Sequence, residues 1–67
     1  MKRNLLIRYL TSQDCVLYRE GGRHSVFINN TNLKKVAIPR HPDINDYLVK
    51  EICKELGIPY PGKTEDP

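Results

Sequence analysis

The chain has 67 residues, with 11 Lys/Arg against 8 Asp/Glu and a net charge of +3. That length suits one domain with one small core, because a chain of this size buries only about 60% of the surface its unfolded form exposes. No run of roughly 18 apolar residues is present, which argues against a spanning helix. Two cysteines, Cys15 and Cys53, are too few for a disulfide-built scaffold or a four-ligand zinc site, and both read as small apolar residues in or near the core.

The opening Met1-Lys2-Arg3-Asn4-Leu5-Leu6-Ile7 starts like the charged region of a signal peptide. Arg8 interrupts it and no small-residue cleavage site follows, so the expected location is cytoplasmic. Charge is unevenly distributed. Residues 1–40 carry a net +6 and residues 41–67 a net −3, which makes the first part the place for an anionic ligand.

Leu5, Leu6, Tyr9 and Leu10 recur at helical spacing and predict a first helix over about residues 3–13. Its start signal is weak, Asn4 being the one good capping candidate nearby. Ile7 falls off the stripe, and Asp14 is a plausible left-handed stop. Residues 15–20 form a β-rich run, Gly21-Gly22 turns it, and residues 23–29 form a second strand. Strict alternation groups His24, Val26 and Ile28 on one side and Arg23, Ser25, Phe27 and Asn29 on the other. The first set is expected to face the helices. Asn29-Asn30-Thr31-Asn32 is a dense turn signal, and residues 33–38 read as a third strand.

Pro39-Arg40-His41-Pro42 predicts an extended, ordered loop. Asn45 is then a good N-cap for a second helix whose stripe is Leu48, Val49, Ile52, Cys53 and Leu56, closed by Gly57 and Pro59. Residues 1–59 are thus expected to make a single domain, and 60–67 a flexible C-terminal tail. The order is helix, three strands, helix. Both helices must bury their stripes on one face of the sheet, which gives an α+β two-layer sandwich in αβββα order, as in double-stranded-RNA-binding domains. The open face is expected to expose some of Val16, Tyr18 and Phe27 and to suit a protein partner.

His24 stands where a permissive turn enters a strand, beside Arg23. Imidazoles ordinarily titrate near pH ~6.5, so such a group can take or give a proton under cellular conditions. The alternative is a histidine held by a backbone carbonyl. His41, between two prolines, reads either as a second acid–base or phosphate-binding group or as a residue that hydrogen-bonds the turn. Arg23, Lys34, Lys35 and Arg40 are the phosphate-binding candidates, arginine through two parallel bonds. No phosphate-loop, zinc-protease or nucleophile-elbow motif occurs.

Taken together, the Leu-rich opening helix, Gly21-Gly22-Arg23-His24 leading into Val26-Phe27, the phrase Ala37-Ile38-Pro39-Arg40-His41, and Ile44 through Leu56-Gly57 resemble the HicA-type toxins. These are small mRNA-cleaving ribonucleases (mRNA interferases) of type II toxin–antitoxin pairs. The likeness spans about residues 3–58. It implies the αβββα fold, His24 as the single catalytic histidine, no cofactor and no metal, mRNA as substrate, and a HicB-like antitoxin that covers the active face. The chain has Gly-Gly-Arg where the family often has Gly-Ser before its histidine. It also has Asp14 in place of a common glycine, and a longer Asn-rich turn. Arg23, Lys35, Arg40 and His41 are the expected RNA contacts, with Gly21 and Gly22 positioning the site. A non-catalytic RNA-binding module of the same fold is the competing expectation, and a protein-binding adaptor the third.

Overall fold

A computed structural model describes residues 1–61 of the chain. The order is α1 (Arg3–Ser12), β1 (Cys15–Glu20), β2 (His24–Asn29), β3 (Lys35–Pro39) and α2 (Asp46–Leu56). The strands form one antiparallel sheet in the order β1-β2-β3. Both helices bury their apolar residues in one core against one face of it. The expected αβββα two-layer sandwich is therefore the observed one. Of the tail expected over residues 60–67, Tyr60 packs against the core, and residues 62–67 lie outside the described residues.

The start of α1 has no side-chain cap; Lys2 occupies the N-cap position and Asn4 lies inside the helix. Tertiary bonds replace the missing cap. Arg3 N–H donates to the Pro42 carbonyl at 2.8 Å, and Ile44 N–H donates to the Met1 carbonyl at 2.8 Å. The first residues are thereby laced to the loop that precedes α2. Leu6 and Leu10 are fully buried, whereas Leu5, expected on the stripe, is half exposed. Asp14 takes the expected left-handed conformation, with φ 64°.

The inward face of the sheet is built from Cys15, Ser25, Phe27, Asn29, Val36 and Ile38. This reverses the expected sides of β2. Ser25, Phe27 and Asn29 face the helices, while His24, Val26 and Ile28 lie on the outer face. The reversal is affordable because both inward polar side chains are satisfied. Asn29 donates to the Leu56 carbonyl at 2.8 Å and accepts from Thr31 N–H at 2.9 Å. Ser25 accepts from Arg3 and donates to Glu20. Phe27, expected to contribute to the open face, is only 5% exposed, whereas Val16 and Tyr18 are exposed there as anticipated.

The Asn-rich segment is the turn its composition implied, but it runs further. Leu33 takes φ 64°, and β3 starts at Lys35 rather than 33. Asn45 caps α2 by accepting from Leu48 N–H at 2.8 Å, and Gly57 ends it with φ 74°. Asn29 and Asn32 both donate to the last helical carbonyl, that of Leu56. A side chain at Gly57 would place its Cβ 2.8 Å from Asn32 Nδ2. Glycine thus serves both the reversed φ and the close approach of the turn.

Both thiols are free and buried. Burial pushes Cys15 above the ordinary thiol range and Cys53 up to about 11, the neighbouring Cys15 adding to the latter effect. They stay protonated near neutral pH and act as core hydrophobes, as expected.

Candidate active site

Antiparallel pairing brings the start of β2 beside the end of β3, with His24 opposite Pro39. The turn before His24 and the loop after Pro39 therefore meet at one end of the sheet. Between them lies an open cleft of about 490 Å³ lined by Gly22, Arg23, His24, Pro39, Arg40 and His41. Both histidines are exposed. Among the described residues neither imidazole holds a hydrogen bond to the protein. His24 projects from the outer face of the sheet, opposite to the helix-facing side expected for it.

A polar network beneath the cleft links the backbone segments that form it. Tyr18 is an extra residue in β1: Leu17 pairs with Phe27, and the next pair is Arg19 with Val26. This bulge advances the alternation by one residue, so Glu20 comes opposite Ser25 on the inward side. Ser25 Oγ donates to Glu20 Oε1 at 2.9 Å, and Arg3 Nη2 donates to Ser25 Oγ at 2.9 Å. Arg3 Nε also donates to the Pro39 carbonyl at 2.9 Å. On the solvent side Arg40 donates to the same Glu20 oxygen and to the Gly21 carbonyl. One carboxylate and two guanidiniums thus tie together the end of β1, the start of β2 and the end of β3. These are the three pieces of backbone that carry His24 and His41.

Neither glycine of the turn takes a left-handed φ. Gly21 is needed for closeness: its N–H donates to the His24 carbonyl at 2.8 Å, and an added Cβ would sit 3.0 Å from that oxygen. Gly22 has open space around it and lines the cleft.

Of the residues singled out from the sequence, Gly22, Arg23, His24, Arg40 and His41 come together in the cleft, and Gly21 joins it through its bond to Arg40. Lys35 does not. It lies at the other end of β3, opposite Ile28, with Nζ 4.8 Å from the centre of the Tyr18 ring. Sequence reasoning missed Arg3 and Glu20. Arg3 reads as one more solvated charge on a helix, and Glu20 falls on the wrong side until the bulge is counted.

A second cleft of about 410 Å³ shares Arg40 with the first and is lined by Lys2, Arg3, Asn4, Arg40 and Pro42. Among the described residues no carboxylate lines either cleft. Glu20, the acid nearest to them in the network, is already paired with Arg40. Among the described residues, no three His, Cys, Asp or Glu side chains gather as metal ligands.

The αβββα domain thus presents, among the described residues, an imidazole without a hydrogen bond in a cleft that Arg23 and Arg40 also line. Residues 4–58 match the family model described as HicA toxin of bacterial toxin–antitoxin systems, and the chain belongs to that family. No match was found among curated proteins or among solved structures. As a member of a toxin–antitoxin family, the chain has an antitoxin as its kind of partner. Among the described residues no helix is long and apolar enough to cross a membrane.

Proposed function

We propose that this toxin is an endoribonuclease that cuts mRNA in the cytoplasm by proton transfer through His24, and that a HicB-like antitoxin holds it inactive in a hetero-oligomeric complex. The observation that carries the reading is the exposed, unbonded imidazole of His24 in a cleft whose charged side chains are arginines. RNA brings its own nucleophile, the 2′-hydroxyl. His24 takes the 2′-O–H proton as that oxygen attacks the adjacent phosphorus. The P–O5′ bond breaks with its electron pair on the 5′-oxygen, which takes a proton from a second group, His41 being the side chain of the cleft suited to that role, and a 2′,3′-cyclic phosphate remains. Arg23 and Arg40 hold the phosphate as negative charge builds on its non-bridging oxygens. Lys35, at the far end of β3, contributes at most to general attraction of the RNA.

This chemistry uses only side chains and the substrate's hydroxyl. The purified toxin is expected to cut RNA at the same rate with and without excess EDTA. Loss of cutting on chelation would overturn the metal-independent route. RNA bound with steep salt dependence and recovered intact would identify a binding module in place of a nuclease. The outer sheet face, where Val16 and Tyr18 are exposed on the same side as His24, is the surface an antitoxin would cover to block the imidazole.

A further inference from the structure

We propose that the second cleft, formed by Lys2, Arg3 and Arg40, is a subsite for a backbone phosphate next to the one being cut. The toxin would then grip a single-stranded RNA over more than the two nucleotides that flank the scissile bond. The inference rests on the nuclease reading and extends it to how the substrate is held. Three observations support it. Arg40 lines both clefts, so the two adjoin at one arginine. Arg3 links them again from below, because it lines the second cleft while its Nε is fixed on the carbonyl of Pro39, which lines the first. Three cations from two separate segments converge on the second cleft, and among the described residues no carboxylate lines it. A surface that only solvates charge has no reason to gather cations around a concavity that continues the reactive one.

The three cations differ in freedom. Arg3 uses Nε and Nη2 in the network under His24, and Arg40 uses only its Nη2 there, on the side of the first cleft where the cut phosphate is held. Lys2 is exposed, and among the described residues its ammonium holds no hydrogen bond or ion pair. The start of α1 uses only the backbone of Lys2, which bridges Asp43 and accepts from Leu6 N–H at 3.0 Å. A substitution there removes the charge without loosening the fold. Lys2 is thus the group freest to meet a second phosphate, with the two arginines, one charge of which is offset by Glu20, leaving a net positive field behind it.

The test compares kcat/KM for a dinucleotide with that for tri- and tetranucleotides extended on the 5′ side or the 3′ side of the cut. In the native toxin, extension on one side is expected to raise kcat/KM by about five- to tenfold, the scale of one charge-assisted contact at an exposed site. In Lys2→Gln most of that gain disappears, and Lys2→Arg restores it. The slope of log KM against log salt for the longer RNA also becomes shallower by about 0.7 in Lys2→Gln, one phosphate contact fewer. A native toxin with no length gain on either side, or a Lys2→Gln variant that keeps the full gain, overturns the subsite. Failure to cut RNA of any length instead overturns the nuclease reading beneath it.

Discussion

Replacing His24 with alanine is expected to lower RNA cleavage by about 10²–10⁴-fold, the usual contribution of one positioned acid–base group. The fold should be untouched. The side chain is exposed on the outer face of β2 and makes no hydrogen bond among the described residues, so its removal leaves no cavity and no stranded partner. Surface changes of this kind shift stability by no more than about 0.5 kcal/mol. Thermal melting and single-turnover cleavage measured on one preparation separate the two effects. A variant that melts with the native protein and still cuts at the native rate would remove His24 from the mechanism.

His41 is expected to show a different signature. If it protonates the departing 5′-oxygen, His41→Ala loses about 10²-fold or more on ordinary RNA. A substrate whose 5′-oxygen is replaced by sulfur leaves readily without a proton, and on it the loss should shrink to less than about tenfold. His24→Ala should remain impaired on both substrates, because removal of the 2′-O–H proton is needed in each. A merely structural role for His41 predicts equal losses on the two substrates. That comparison therefore distinguishes proton donation from support of the loop between Pro39 and Pro42.

Much of this frame is local in origin and so legible along the chain. Asn45 and Gly57 mark the ends of α2 because capping and a reversed φ depend on one or two residues. Asp14 and the Asn-rich turn are legible for the same reason. The facing of β2 was not. Alternation alone favours Val26 and Ile28 as the inward pair over Ser25 and Asn29. The outcome turns on partners far away in sequence: Arg3 for Ser25 and the Leu56 carbonyl for Asn29. An inward polar residue is recognisable only once those partners are in place.

The same non-locality governs the site. Glu20 enters the network because Tyr18 is left out of the ladder, and nothing in Cys-Val-Leu-Tyr-Arg-Glu announces a bulge. Arg3 carries no mark that separates it from Arg8 until the loop at Pro39 is brought above it. Lys35 shows the opposite failure. Its neighbours in sequence lead toward Arg40 and His41, but an extended strand carries it away from the cleft to the ring of Tyr18. What sequence did reveal is the pair of phrases on either side of the cleft, Gly21-Gly22-Arg23-His24 and Pro39-Arg40-His41. One antiparallel pairing, His24 with Pro39, makes them a single site.

The most direct test uses a short RNA with a single 2′-deoxynucleotide placed at a position the toxin cuts, with the 3′ ends of all products identified by mass. A proton taken from the 2′-hydroxyl requires that hydroxyl, so the modified position should stay intact while its all-RNA counterpart yields a 2′,3′-cyclic phosphate. Cutting at the deoxy position, or products that end in a free 3′-hydroxyl, would contradict the mechanism.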